Sequence, residues 1–179
     1  MNETEALLTS AFWQLLEEKP YKKITVRDIV DRCQVNRNTF YYHFEGIPAL
    51  MVRVLSLWTD EVLKDPRITQ APLLALLPLA DAVKGHQKAV MNLKNSRAWE
   101  EAVLPCLKRY CERSAALYVK AAFADSGAAE SRDIPLLTRF YQAASFGCVM
   151  DWVDRGMETD LSQDILRVLS LNDLLPKQP

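Results

Sequence analysis

Glycine is scarce in this chain, with five in 179 residues, and no run alternates apolar and polar residues with period two. A β-sheet therefore finds no support. Histidine is scarcer still: His43 and His86 are the two imidazoles, far apart in sequence. The four cysteines, Cys33, Cys106, Cys111 and Cys148, are scattered and form no C-x-x-C pair. That spacing excludes a disulfide framework and a structural zinc site, leaving reduced and mostly buried thiols. No stretch approaches the ~20 apolar residues of a membrane span. The opening Met-Asn-Glu-Thr-Glu is acidic and lacks the basic start and apolar run of a secretory signal. A cytoplasmic protein with no membrane partner is expected. Gly-rich phosphate loops, G-x-S-x-G, H-E-x-x-H and G-x-G-x-x-G are all missing, so the reading is of a non-enzyme without cofactor or metal.

What is present is helical. Apolar residues make up 49% of the chain and charged ones 25%, a globular balance. Leu8, Ala11, Phe12, Leu15 and Leu16 recur at spacings of three and four, predicting a helix over 3–19 that Lys19-Pro20 ends. Thr25 can cap a short second helix, aided by Asp28, with Val26, Ile29, Val30 and Cys33 on its apolar face. Gln34 and Val35 form a tight turn, and Asn36 caps a third helix from Arg37 to His43. A longer helix runs from Ile47 to about Lys64 and stops at Asp65-Pro66. Further helices are expected near 70–83, 86–94, 97–123, 132–156 and 161–174, with Pro78 and Pro105 kinking or shifting two of them. Asp125–Glu130 reads as a loop.

The formal net charge is −1, unfavourable for a partner made of phosphates. Its distribution is uneven. From Lys19 to Arg53 seven cations face three carboxylates (Asp28, Asp31 and Glu45), which leaves that segment at +4. Residues 25–44 within it form two short helices joined by a tight turn, the arrangement of a helix-turn-helix. The second helix of such a motif enters the major groove with its N-terminal residues at the base edges. Arg37 can donate two hydrogen bonds to guanine and Asn38 can pair with adenine. The polar tips of Tyr41, Tyr42 and His43 can reach phosphates.

This segment resembles the TetR family of one-component regulators. In that family a Thr- or Ser-capped helix leads to a recognition helix ending in T-[LF]-Y-x-[HY]-F. Thr39-Phe40-Tyr41-Tyr42-His43-Phe44 matches that pattern at every position, and Ile24–Ile29 matches the opening of the second helix. The resemblance covers residues 5–60. It implies an all-α fold: an N-terminal three-helix helix-turn-helix DNA-binding domain, then a C-terminal helical ligand-binding and dimerisation domain. The boundaries expected are 1–46 for the first, 47–64 for a connecting fourth helix, and 65–179 for the second. Carried over by position, it implies DNA contacts from Thr25, Arg27, Arg37, Asn38, Thr39, Tyr41, Tyr42 and His43, with Val26, Ile29, Val35, Phe40 and Phe44 as core. Gln34 stands where the family usually has glycine, and Ile47 where it often has lysine.

The helix near 132–156 carries two adjacent apolar faces. One holds Leu137, Tyr141, Ala144, Cys148 and Trp152, the other Leu136, Phe140, Ala143, Gly147 and Met150. So wide an arc must bury two sides. With the last helix it suggests a four-helix subunit interface using Leu137, Phe140, Tyr141, Ala144, Gly147, Cys148, Ile165 and Leu169. Phe146–Met157 also resembles the C-terminal region of TetR-type regulators related to activators of dihydroxyacetone kinase operons. An apolar effector pocket is expected around Trp58, Met91, Trp99 and Tyr110. The expected protein is thus a homodimeric regulator, by default a repressor, that binds a pseudo-palindrome in double-stranded DNA and answers to an unidentified small molecule. The alternative is a co-regulator of the same fold that has lost operator binding and acts through protein contacts.

Overall fold

A computed structural model of the chain describes residues 3–71, 73–124 and 132–171. Nine α-helices and four tighter or wider turns occur among these residues, and no strand. The expected loop at 125–130 and the end of the last helix at 172–174 lie outside them.

The residues fall into two compact units, one built from the chain up to Trp58 together with Gly85–Cys106, the other from Thr59–Lys84 and the chain from Leu107 onward. In the first unit are α1 (Glu3–Glu18), α2 (Val26–Cys33), α3 (Arg37–His43), the start of α4 (Ile47–Val62) and α6 (Gln87–Lys94). The predicted face of α1 is buried in full: Leu8, Ala11, Phe12, Leu15 and Leu16. It packs on α2 and on α6, and α2 packs on α3. Phe40, Leu50 and Met51 complete the centre of this unit.

Residues 85–106, assigned by the sequence reading to the C-terminal domain, therefore pack with the N-terminal helices. Three contacts bind α6 to α1. The Asn92 amide donates to the Leu16 carbonyl at 2.7 Å. His86 Nδ1 lies 2.7 Å from a Glu17 carboxylate oxygen, and its ring stacks on Trp13 with centroids 5.7 Å apart.

The second unit contains α5 (Leu76–Val83), most of α7 (Leu104–Val119), α8 (Asp133–Asp154) and α9 (Leu161–Leu171). Here α5 packs on α9. The Tyr110 hydroxyl, fully buried, donates to the Ala75 carbonyl, so the one polar atom of that ring has a partner. Burial pushes both the Tyr110 phenol and the Cys111 thiol up, the latter to about 12. A thiol so raised is a weak nucleophile and behaves as core.

Pro78 sits in the first turn of α5, where no amide donor is needed, whereas Pro105 follows directly on the wide π-type turn Trp99–Val103, which runs into α7 without a break. Residues 97–124 are helical throughout, matching the helix expected over 97–123, with π-type turns at Trp99–Val103 and Lys120–Ala124 on either side of α7.

Helix ends are closed by local chemistry. Asp160 caps α9 by accepting from the amides of Ser162 and Gln163 at 3.0 and 3.3 Å. At the end of α2, the Val35 amide donates to the Val30 carbonyl at 3.1 Å and the Gln34 amide to that of Asp31 at 3.3 Å. This is a Schellman closure. It needs a left-handed residue, and Gln34 supplies it with φ 55° and ψ 36°. That conformation costs a side-chain-bearing residue roughly 1–2 kcal/mol, part of which glycine forfeits through the entropy of the unfolded chain. Gln34→Gly is accordingly expected to stabilise the protein by about 0.5–1 kcal/mol. The check is a higher urea midpoint at unchanged slope. A lower midpoint would mean that the glutamine side chain contributes more than its backbone costs.

Candidate nucleic-acid interface

The first helix of the motif is anchored by a reciprocal cap. The Asp28 amide donates to Thr25 Oγ1 at 3.2 Å, and the Thr25 amide donates to Asp28 Oδ2 at 2.7 Å. The Thr25 hydroxyl also donates to Asp28, at 2.7 Å, and the Lys19 ammonium sits 2.9 Å from the same carboxylate. These partners, the Thr25 hydroxyl foremost, hold the Asp28 carboxyl down at about 2. The second helix is started by Asn36, whose Oδ1 accepts from the Thr39 amide at 2.8 Å and the Thr39 hydroxyl at 3.1 Å. Both threonine hydroxyls expected at DNA thus spend their hydrogens inside the protein. In this arrangement they can accept a hydrogen bond but cannot donate one to a phosphate.

Helix α3 is seated by Phe40, which has no exposed surface, and by Phe44, whose ring centroid is 5.9 Å away. With those residues inside, the helical repeat turns Arg37 and Asn38, and one turn later Tyr41 and Tyr42, outward as a contiguous stripe. Tyr42 is 85% exposed and Tyr41 45%. Thr39 and His43 flank the stripe and are half-buried, and Thr25 and Arg27 are exposed at the start of α2. All eight residues therefore lie on the helix-turn-helix, six of them exposed.

The +4 of the segment is less free than the count suggests. Lys19 is on Asp28, Arg27 lies 3.4 Å from Asp31, and Arg53 lies 3.4 Å from Glu5. Arg32 makes a two-pronged pair with Glu18 at 2.6 and 2.7 Å, which also holds the Glu18 carboxyl below its usual range. Among the described residues Lys22, Lys23 and Arg37 make no ion pair. Partners 14 and 48 positions away in sequence, such as Glu18 and Glu5, gave no local signal by which these pairings could have been found.

Arg37 has a different companion. Its Nη2 donates to Tyr41 Oη at 3.2 Å, and its guanidinium carbon stands 5.4 Å from the centroid of the Tyr41 ring.

The residues expected around an effector are distributed over both units. Trp58, Met91 and Trp99 belong to the first unit and Tyr110 to the second. Trp99 and Tyr110 are buried core residues. Met91 lines a recess of about 250 Å³ with Pro20, Lys22, Asn92, Asn95 and Ser96, a wall of mixed polarity that includes none of the other three. Of the residues expected between subunits, Ile165 and Leu169 have almost no exposed surface, because α9 turns them into its own unit's core. Leu137, Tyr141, Ala144 and Cys148 are half-buried, while Phe140 and Gly147 face outward together with Leu136 and Ala143. Leu166, Val168 and Leu171 are the exposed apolar residues of α9, and the sequence reading did not separate them from Ile165 and Leu169.

Residues 8–54 match the model of bacterial regulatory proteins, tetR family. No curated protein matches the chain by sequence. Among solved structures, the fold is similar to that of "Dihydroxyacetone kinase operon activator DhaS", with a TM-score of 0.71 at 17% identity, over 94% of this chain and 93% of that one. At such identity the likeness concerns the fold, which extends beyond the matched domain to both units. The capped helix pair and its outward stripe lie within the stretch that matches, so residues 8–54 carry a helix-turn-helix of the kind found in bacterial regulatory proteins of the tetR family.

Proposed function

We propose that the protein is a ligand-responsive repressor that binds a pseudo-palindromic operator as a homodimer. The observation that carries this reading is the outward stripe of Arg37, Asn38, Tyr41 and Tyr42 on a helix fixed from behind by Phe40. Residues 1–46 read the DNA, α4 connects, and residues 65–179 bind the effector and the second subunit. Thr25, Arg27, Thr39 and His43 complete the contact surface, the threonines as acceptors. The apolar outward residues of α8 and α9 support dimerisation: Leu136, Phe140, Leu166, Val168 and Leu171 are all more than 40% exposed in the single chain. Ala143 and Gly147 beside them would let a second helix approach closely. The grip of α6 on α1 supports the response to a ligand, since any displacement of α6 is felt directly by the helix behind the reading head. A second reading, transcriptional activation by the same DNA contacts, is favoured by the name of the structural neighbour, an operon activator.

Selection of random duplex DNA by the purified protein tests this. The expected product is an inverted repeat whose half-sites lie about one helical turn apart. Its affinity should fall steeply with added salt, by about 0.9 decades per decade of salt for each phosphate neutralised. A folded dimer that enriches no sequence would instead be the co-regulator, acting through protein contacts.

A further inference from the structure

Each arginine around the helix-turn-helix other than Arg37 rests on a carboxylate: Arg27 on Asp31, Arg32 on Glu18, Arg53 on Glu5. Arg37 rests on a tyrosine. We propose that Tyr41 is a positioning residue that presents Arg37 to a guanine in each half-site, so that the pair, and not Arg37 alone, specifies one base of the operator. The proposal rests on the operator-binding reading above.

The restraint runs through three side chains. Phe40, with no exposed surface, is fixed in the core. The Tyr41 ring stands edge-on to it, with centroids 5.5 Å apart and planes at 86°. Arg37 in turn lies 5.4 Å from the Tyr41 ring centroid and donates to its hydroxyl at 3.2 Å. A long, flexible arginine is thus held at the first residue of α3, the end of a recognition helix that reaches base edges. The hydroxyl occupies one N–H of the five on the guanidinium, so two others can meet O6 and N7 of guanine together. Adenine offers an amino group beside its N7, which a donor-only guanidinium cannot accept. A carboxylate in place of Tyr41 would attract the same guanidinium but would repel the DNA backbone. The tyrosine does not: its oxygen has accepted from Arg37, and its own O–H remains to donate to a phosphate. One side chain can therefore lock the register on the backbone and aim the reader at the base.

The test is the sequence profile of duplexes selected by the full-length wild type, Arg37→Ala, Tyr41→Leu and Tyr41→Phe, each checked for unchanged thermal unfolding. The wild type should prefer guanine at one position of each half-site by roughly 5- to 150-fold. Arg37→Ala should flatten that position alone. Tyr41→Leu should flatten the same position although Arg37 is still present, and Tyr41→Phe, which keeps the ring and loses the hydroxyl, should lose part of the preference. A guanine preference that survives Arg37→Ala overturns Arg37 as the reader. An even loss of affinity in the tyrosine variants, with the guanine preference equal to wild type, overturns the positioning role. Should Tyr41→Leu bind too weakly to profile, Tyr41→Phe decides. A wild type that selects no sequence removes the operator-binding reading itself, and this proposal with it, an outcome that neither variant result resembles.

Discussion

Phe40→Ala should abolish sequence-specific DNA binding while most of the helix content survives. Phe40 is one of the largest side chains with no exposure, and it sits directly behind the outward stripe of α3. Truncating a buried phenylalanine costs about 3–5 kcal/mol, from lost burial and the cavity left behind. A domain is stable by only about 5–15 kcal/mol, so the loss approaches the whole margin of the small helix-turn-helix. The helices of the second unit have their own core, centred on Tyr110, Trp152 and Leu169, and do not use Phe40. Circular dichroism should therefore show a low-temperature transition of part of the helix, separate from the main one. Mobility-shift titration should show no specific complex above that transition. A single transition at the wild-type temperature, with operator affinity retained, would mean that α3 does not depend on Phe40 for its seat.

Phe140→Glu is expected to turn a dimer into a monomer. The side chain is 64% exposed in the single chain, so a glutamate there meets water and leaves the fold intact. Between two subunits the same carboxylate would be stripped of water against the neighbouring outward Leu136, Ala143 and Gly147, a cost that the exposed Arg139 beside it offsets only in part. The cost falls on association. Since two reading heads joined in one molecule gain roughly 10²- to 10⁴-fold over one, affinity for the inverted repeat should drop by about that factor while binding to a half-site is unchanged. Sedimentation velocity and titrations with the whole and half operator give the two readouts. A variant that stays dimeric would move the subunit contact away from the outward face of α8, and with it the proposal that this face joins the subunits.

Much of the fold was legible because it depends on neighbours three and four residues apart. The buried face of α1, the caps at Thr25 and Asn36, and the tight turn at Gln34 follow from side-chain spacing and from hydrogen bonds within one turn of helix. Such terms can be read without knowing what lies across the core. The stripe on α3 is of the same kind: once Phe40 and Phe44 are taken as core, the positions of Arg37, Asn38, Tyr41 and Tyr42 are fixed by the helical repeat.

Other features had no local signal. Composition could sum the charges of residues 19–53, but Arg32 finds its carboxylate 14 residues earlier and Arg53 finds one 48 residues earlier, so only packing shows which cations remain unpaired. The two apolar faces of α8 were equivalent in sequence, and contact with its neighbours chose which one to bury, leaving Leu136 and Phe140 outside. On α9 the same choice took Ile165 and Leu169 inward and left Leu166 and Leu171 exposed. Amphipathic helices are interchangeable partners at the level of pattern, so the sequence names the helices without naming their neighbours. The return of residues 85–106 to the N-terminal unit is the clearest case. By itself the sequence determined the all-helical fold, the caps at Thr25 and Asn36 and the outward face of α3. The tertiary structure decided that α6 grips α1, because that depends on whether His86, Glu17, Trp13 and Asn92 meet across a packed interface, a complementarity of shape that no single helix contains.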